Sequence, residues 1–320
     1  MDAIRTFAAD PVFRADVLAG LAAPIPAVPA RWFYDHRGSE LFEEITRLPE
    51  YYPTRTETAI LERHAPEMAA MLGAGAAVIE PGAGASTKTR ILLRTIQPAA
   101  YVPIDISGDF LRESACALQA EFPDLAIHPV EADFTRPIAL PEAIAGLARL
   151  GFFPGSTIGN FVARTGVDLL RALKETLGEG SRLLIGMDRI KDVDLLLAAY
   201  DDAAGVTAQF NLNLLHRINA ELAGDIPVEV FRHRALWNDE LSRIEMHLEA
   251  VRDVAFTVSG QSFAFKAGQT IHTENSHKYG HRDSRLMLRA AGWGVVVEWM
   301  DEREWFSLLL AEAEPPRFAP

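Results

Sequence analysis

A short apolar segment followed by a glycine-rich turn constrains the fold of this chain more than any other feature of its sequence. Residues 76–80 (AAVIE) have the length and character of a buried strand, and residues 81–86 (PGAGAS) follow them directly. A helix is predicted to begin near Thr87, because apolar residues continue from Ile91 to Leu93. A strand, a glycine turn and a helix in this order are typical of the first unit of a doubly wound α/β sheet.

The alternation of strands and helices continues along the chain. Further strands are predicted at residues 101–105, 125–130, 151–153 and 182–187. Helices are predicted at residues 57–72, 111–122, 141–150 and 169–177. Such alternation favours a parallel sheet with right-handed crossovers, so the predicted fold class is α/β.

Two regions do not follow this pattern. Residues 1–56 are rich in proline and aromatic residues and are predicted to be irregular. Residues 191–222 are predicted to be helical, and residues 244–250 alternate apolar with polar side chains, which is the period of a half-exposed strand. The alternation continues through Phe265 and predicts an antiparallel sheet. We therefore expect an inserted α+β domain at 191–283.

The charge and composition of the chain limit its possible partners. It has 31 Lys and Arg against 44 Asp and Glu, a net charge of −13, and no polybasic run, so a nucleic-acid partner is not expected. Its apolar stretches are shorter than the roughly 20 residues of a membrane helix. The first ten residues lack the layout of a secretory signal, and Cys116 is the single cysteine. We expect a cytoplasmic protein that does not enter a membrane.

Acidic and glycine residues follow three of the predicted strands. Gly82 and Gly84 lie in the first turn, Asp105 ends the second strand, and Asp133 and Phe134 follow the third. Each of these residues also has a purely structural interpretation, as a tight turn, a helix cap or a solvated loop. Together, at one edge of a parallel sheet, they favour a nucleoside site.

The pattern of residues 284–313 indicates which nucleoside cofactor the predicted site binds. A helix at 284–291 precedes two strands at 293–300 and 306–313, and this terminal pair resembles the β-hairpin that ends Rossmann-like class I methyltransferases dependent on S-adenosylmethionine. Thr87 stands where a dinucleotide fingerprint would have its third glycine, which weakens an NAD interpretation. S-adenosylmethionine has no pyrophosphate and does not require that glycine.

Several longer segments resemble one family within this class. They are residues 32–57 (WFYDHRGSELFEEITRLPEYYPTRTE), 155–160 (GSTIGN), 199–211 (AYDDAAGVTAQFN), 243–246 (RIEM) and 273–279 (TENSHKY). In this order they resemble the histidine Nα-methyltransferases of ergothioneine biosynthesis. The resemblance implies the transfer of three methyl groups from S-adenosylmethionine to the α-amino group of L-histidine. The products would be hercynine and S-adenosylhomocysteine.

The resemblance also implies roles for individual residues. Asn160 and Tyr200 would hold the α-carboxylate and amino end of histidine, and Tyr34 and Tyr51 would line the amine side. Glu274 and Ser276 would satisfy the two imidazole nitrogens, because residues two apart on an extended segment point to one face. The remaining implied residues are Met246 beside the ring and, for the cofactor, Gly82, Gly84, Lys88, Asp105, Asp133 and Phe134.

These assignments predict a division into two domains. A cofactor domain is expected to comprise residues 57–190 and 284–320, and a substrate domain residues 20–56 and 191–283. The protein is expected to act as a monomer.

Other interpretations remain open at the level of sequence. The substrate would be another free amino acid in one of them, and the chain would be a non-catalytic regulator that binds S-adenosylmethionine in another. His272, His277 and His281 lie near Glu274, but their spacing fits neither HExxH nor a facial triad, so no metal is predicted.

Overall fold

The computed structural model describes residues 10–83, 87–106 and 108–315, with the side chain of Asp109 left out. The α-helices in these residues are α1 (Pro11–Leu21), α2 (His36–Thr46), α3 (Tyr52–Leu72), α4 (Thr87–Ile96), α5 (Gly108–Glu121), α6 (Ala163–Leu177), α7 (Val193–Tyr200), α8 (Val206–Glu221) and α9 (His281–Ala290). The strands are β1 (Ala77–Pro81), β2 (Ala100–Asp105), β3 (Ala126–Ile127), β4 (Val130–Glu131), β5 (Arg149–Phe153), β6 (Arg182–Asp188), β7 (Phe231–Asn238), β8 (Arg243–Ala250), β9 (Val254–Val258), β10 (Gln261–Phe265), β11 (Thr270–His277), β12 (Trp293–Met300) and β13 (Phe306–Ala313).

The chain divides into two compact units, each assembled from separate stretches of sequence. The sheet unit consists of Pro53–Lys191 and the chain from His277 onward, and the α+β unit consists of the chain up to Tyr52 and Asp192–Ser276. Among residues 10–83, 87–106 and 108–315, no helix has the length and apolar character needed to cross a bilayer.

The sheet unit contains an eight-stranded sheet in the order β12-β13-β6-β5-β1-β2-β3, with β4 also paired to β2. The pairs of β1 with β2 and β5, and of β5 with β6, are parallel, whereas β13 is antiparallel to both β6 and β12. Apolar clusters lie on both faces of this sheet, as expected for parallel strands. The predicted α/β class and its terminal hairpin are therefore confirmed.

Two predicted elements of this unit are wrong. Residues 141–150 form only a short 3₁₀ turn at Glu142–Ile144 before β5 begins, and Gly146 has a φ of +82°, which an α-helix does not allow. The strand predicted at 125–130 is split into β3 and β4. Pro129 stands between them, and it has no N–H to donate to a strand ladder.

The prediction that residues 1–56 are irregular is also wrong, because α1 and α2 lie there. Asp10 caps α1 by accepting from Val12 N at 2.8 Å, and Pro11 is its first residue. Asp35 caps α2 by accepting from Gly38 N at 2.7 Å. Proline and aromatic content concealed two ordinary helix starts.

The α+β unit contains a three-stranded sheet, β11-β8-β7, and a separate hairpin of β9 and β10. The pairs β7–β8 and β9–β10 are antiparallel, as predicted. The expected half-exposed character of β8 is wrong, since His247 and Glu249 are only 9% and 6% exposed. Because β8 is the central strand, its polar face is covered as well as its apolar face.

Candidate active site

Four predicted substrate residues lie in one connected cluster of the α+β unit. The rings of Tyr51 and Tyr200 are 6.2 Å apart, and Phe42 lies 6.3 Å from Tyr51 and 5.7 Å from Tyr34. The Tyr200 hydroxyl and Ser276 Oγ are hydrogen-bonded at 2.6 Å. The structure therefore brings Tyr34, Tyr51, Tyr200 and Ser276 together.

Local structure explains how these tyrosines are presented. Tyr34 follows a 3₁₀ turn at Ala30–Phe33, and the capping of α2 by Asp35 begins directly after it. Tyr51 immediately precedes α3, and Tyr200 is the last residue of α7. The cluster is thus built from three helix boundaries.

The two residues predicted to bind the imidazole, Glu274 and Ser276, lie on β11 but differ in burial. Ser276 is 4% exposed, whereas Glu274 is half-buried, and Asn275 between them is half-buried too. The alternation of burial along β11 breaks at this point, so the predicted common face is not a simple property of an extended strand. Met246, on the neighbouring β8, is 1% exposed.

Phe42 and Phe210 are members of the cluster that sequence reasoning missed. Phe210, on α8, lies 5.8 Å from the ring of Tyr34 and 6.1 Å from that of Phe42. Phe42 was hidden by the incorrect prediction of irregular structure at 1–56. Placing α2 would have set Phe42 on the same helix as the buried Leu41 and Ile45.

Asn160 lies in the sheet unit, at the end of the loop that follows β5. It closes a 3₁₀ turn at Thr157–Asn160, which begins after Ser156 with a φ of +56°. Asn160 is not the N-cap of α6, because that position is Val162. His277 Nδ1 donates to Gly159 O at 2.8 Å and holds the loop one residue earlier.

The predicted cofactor residues lie at the carboxyl edge of the sheet. Asp105 ends β2, and Asp133 follows β4 and accepts from Thr135 N at 3.0 Å. Gly82 has a φ of +69°, and a Cβ there would lie 3.5 Å from the Phe134 ring. Carboxylates at two strand ends, a cradle that a side chain would fill and an aromatic ring beside it fit an adenosine-type cofactor. Gly84 lies outside the described residues.

Replacing Gly82 by alanine should lower both stability and cofactor affinity. A left-handed φ costs an alanine about 1–2 kcal/mol, and the added methyl occupies the cradle beside Phe134. Gly75→Ala is the matched control, because Gly75 has a φ of +83° with nothing within 4 Å of its Cβ position. Calorimetry should show S-adenosylhomocysteine binding weakened about tenfold in Gly82→Ala alone. Equal affinity in both variants would contradict the assignment of Gly82.

Lys88 is 8% exposed and forms an ion pair with Glu57 that the sequence did not reveal. Lys88 Nζ donates to Glu57 Oε2 at 2.7 Å, and Gly155 N donates to the same carboxylate oxygen at 2.8 Å. Glu57 is completely buried. A Cβ at Gly186, on β6, would lie 2.2 Å from Glu57 Oε1. Glycine at this position therefore leaves room for the Glu57 carboxylate.

Glu80, near the end of β1, is a second buried carboxyl group. It accepts from Thr89 Oγ1 and from the Tyr101 hydroxyl, each at 2.8 Å. Burial raises the pKa of Glu80 to about 7, and the two hydroxyl donors offset this only in part. Glu80 thus supports the turn after β1 by bonding α4 and β2.

The stability of the protein should fall between pH 5 and pH 8 because of Glu80. The pKa of this carboxyl rises from an ordinary value of 4.5 to about 7 in the folded protein, so between these values only the folded state holds the proton. Stability is then lost as the pH rises, by about 3 kcal/mol. In urea unfolding, the free energy of unfolding of Glu80→Gln should rise relative to that of the wild type as the pH increases from 5 to 8. For the exposed Glu62→Gln, the difference in unfolding free energy from the wild type should stay constant over this pH range. A pH trend in Glu62→Gln like that of Glu80→Gln would refute Glu80 as the cause.

Glu245, His247 and His272 form a cluster whose ligand-type atoms lie within 4.8 Å of one another. Arg243 Nε donates to Glu245 Oε1 at 2.7 Å, and the two imidazole rings are stacked with centroids 4.8 Å apart. Imidazole lone pairs lie in the ring plane, so stacked rings do not direct them to one ion. We interpret the cluster as a contact between β8 and β11.

The sheet and its carboxyl edge together define a class of protein. A parallel sheet with an antiparallel strand placed between the last parallel strand and the edge strand is the fold of class I S-adenosylmethionine-dependent methyltransferases. A family model described as histidine-specific methyltransferase, SAM-dependent, matches residues 13–313. The chain belongs to this family.

Characterised relatives are similar over most of the chain. A histidine N-alpha-methyltransferase of Mycolicibacterium smegmatis is 41% identical over 93% of this chain and 94% of its own length. Ergothioneine biosynthesis protein 1 of Neurospora crassa is 30% identical over 89% of this chain, which spans 33% of that protein. An L-tryptophan methyltransferase of Psilocybe serbica is 28% identical over 95% of this chain and 93% of its own.

Proposed function

We propose that this protein transfers three methyl groups to the α-amino group of L-histidine and so forms hercynine for ergothioneine biosynthesis. The observation that carries the proposal is the cluster of Tyr34, Tyr51, Tyr200 and Ser276 in a chain of the histidine-specific family. Tyrosine and serine hydroxyls both donate and accept hydrogen bonds, so they can follow an amine whose donors disappear as it is methylated.

The amino end of histidine is assigned to the tyrosines and to Asn160. Asn160 and Tyr200 hold the α-carboxylate and amino group, while Tyr34 and Tyr51 line the amine side. The amine, with a free pKa of about 8, must lose a proton before it can act as a nucleophile. The hydroxyls of Tyr34 and Tyr51 either orient the amine or pass that proton to water.

The imidazole end is assigned to Glu274 and Ser276, with Met246 against the ring. A carboxylate accepts from one ring nitrogen and a hydroxyl serves the other, so imidazole is satisfied at both edges. A phenyl ring would leave the carboxylate without a donor, at a cost of about 1–3 kcal/mol, and an indole, which has an N–H but no acceptor nitrogen, would leave the hydroxyl proton without an acceptor.

The cofactor is assigned to the carboxyl edge of the sheet. S-adenosylmethionine, when bound, supplies an electrophilic methyl group on a sulfonium. Gly82 and Gly84 are assigned to the cofactor, Asp105 accepts from the ribose hydroxyls, and Asp133 and Phe134 hold the adenine. Lys88, held by Glu57, is assigned to donate a hydrogen bond to the carboxylate of the cofactor.

One experiment tests both substrate and product. Purified protein is incubated with S-adenosylmethionine and an equimolar mixture of the twenty amino acids, and the products are identified by mass spectrometry. A gain of three methyl groups on histidine alone is the expected result. A final product with one or two methyl groups would overturn trimethylation, and methylation of another amino acid would overturn the roles of Glu274 and Ser276.

A second candidate keeps the chemistry and changes the substrate. The relative named as an L-tryptophan methyltransferase is 28% identical over almost the whole chain, so this fold is similar to one associated with an indole substrate. The carboxylate of Glu274 and the hydroxyl of Ser276 together favour imidazole, which offers both a donor and an acceptor nitrogen. The same amino-acid mixture distinguishes the two candidates, and cofactor binding without any methylation would favour a regulatory protein.

We further propose that the protein works in the cytoplasm as a monomer, without a metal. The net charge of −13 supports a monomer through mutual repulsion of copies. Sedimentation at several concentrations tests the oligomeric state, and undiminished activity after dialysis against a chelator tests the independence from metal.

A further inference from the structure

A buried polar network lies behind the proposed histidine site in the α+β unit. His233 Nε2 lies 2.8 Å from the carbonyl oxygen of Tyr200, and His233 Nδ1 lies 2.8 Å from Asn211 Nδ2. Thr273 Oγ1 lies 2.8 Å from Asn211 Oδ1 and 3.0 Å from Met246 O. The side chain of His233 is 2% exposed, Asn211 is 0% exposed and Thr273 is 2% exposed.

The acceptors in this network determine its proton positions. A carbonyl only accepts, so His233 carries its proton on Nε2 and donates it to Tyr200 O. His233 Nδ1 then accepts from Asn211 Nδ2, whose second proton goes to His247 O at 3.1 Å. Asn211 Oδ1 accepts from Thr273. Burial lowers the pKa of His233, which keeps the ring in the neutral form that this pattern requires.

The network meets the backbone at residues of the proposed site. Tyr200 ends α7, and the last carbonyls of a helix have no N–H partner within it, so the N–H of His233 reaches a group whose partner must come from outside the helix. The single hydroxyl proton of Thr273 is shared between Asn211 Oδ1 and the carbonyl oxygen of Met246, and Thr273 directly precedes Glu274. Three strands and two helices therefore converge on two side chains, His233 and Asn211.

We propose that His233 and Asn211 are positioning residues, which fix the backbone of Tyr200 and of the strand carrying Glu274 and so set the affinity for the amino-acid substrate. This inference rests on the proposed function, because it takes Tyr200 and Glu274 as substrate ligands. His233 and Asn211 do not themselves touch the substrate.

The test compares His233→Phe with His233→Gln in the full-length protein. A glutamine amide donates from nearly the position of Nε2, whereas phenylalanine removes the hydrogen bond that His233 gives to the Tyr200 carbonyl. Histidine binding in the presence of S-adenosylhomocysteine is measured by calorimetry, and kcat and KM by methyl transfer. We expect affinity to fall about 5- to 100-fold in His233→Phe and to return to within about threefold in His233→Gln.

A double-mutant cycle separates positioning from general stability. In a Tyr200→Phe background, His233→Phe should lower the affinity for histidine by less than about threefold, because the Tyr200 hydroxyl that His233→Phe would displace is absent. The exposed His216→Phe on α8 is the matched control and should leave histidine affinity unchanged. S-adenosylhomocysteine affinity should be equal in all variants.

The outcomes are distinguishable. A wild-type protein that does not bind histidine would refute the proposed function, whatever the variants do. Wild-type binding that His233→Phe leaves intact, or an additive cycle, would refute only the positioning role. If His233→Phe does not fold, the histidine affinities of His233→Gln and His233→Asn are compared instead, because asparagine does not reach the Tyr200 carbonyl. Equal histidine affinity in these two variants would overturn the inference.

Discussion

Replacing Glu57 by leucine is expected to lower the free energy of unfolding by about 3–5 kcal/mol and to abolish activity. Glu57 is 0% exposed and neutralises Lys88, which is 8% exposed, so its removal leaves an ammonium buried without a counter-charge. The Gly155 N–H loses its acceptor in the same step. Urea unfolding measures the first effect, and methyl transfer to histidine the second.

Two variants show whether charge or hydrogen bonding is responsible. Glu57→Gln keeps an acceptor for Gly155 N but not the charge, so it should recover only part of the lost stability. Glu302→Ala breaks an exposed ion pair with Arg63 and should change stability by less than about 1 kcal/mol. Stability in Glu57→Leu close to that of Glu302→Ala would show that the buried pair is not needed.

Replacing Glu274 by alanine should lower kcat/KM for histidine by about 10²-fold or more. Histidine would lose the acceptor for one imidazole N–H, and the selectivity over other amino acids should narrow. S-adenosylhomocysteine affinity should not change, because the cofactor residues lie in a different unit of the chain. Competition between histidine and the other amino acids, read by mass spectrometry, measures both the rate and the selectivity.

Glu274→Gln and Glu240→Ala are the controls for this prediction. Glutamine keeps the size and one acceptor but not the charge, so its activity should lie between those of the wild type and Glu274→Ala. Glu240 is exposed in the same unit, and its replacement should leave kcat/KM unchanged. Unchanged selectivity in Glu274→Ala would assign imidazole recognition to other residues.

The fold was predictable from the sequence where the pattern was local. The strand at Ala77–Pro81 and the hairpin of β12 and β13 have continuous apolar runs bounded by clear turns, so their positions were correct within about one residue. At 141–150 the apolar residues matched a helix equally well, and only Gly146 indicated otherwise. A single glycine does not outweigh a pattern of ten residues.

The family resemblance named residues of the candidate site but not the connections between them. Tyr34, Tyr51, Tyr200 and Ser276 came from the family resemblance, and the structure brings them together. The Glu57–Lys88 pair joins residues 31 positions apart, which no spacing rule indicates. His233 and Asn211 have the same character, because their contacts depend on how β7, β8 and β11 pack against α7 and α8.

The position of β13 in the sheet has a consequence for how the chain matures. β13 ends at Ala313 yet lies between β6 and β12, pairing with both. During synthesis, β6 therefore keeps an unpaired edge until Phe306–Ala313 has been made. Loss of these residues would remove an interior strand of the sheet, and the exposed edge would invite association between chains.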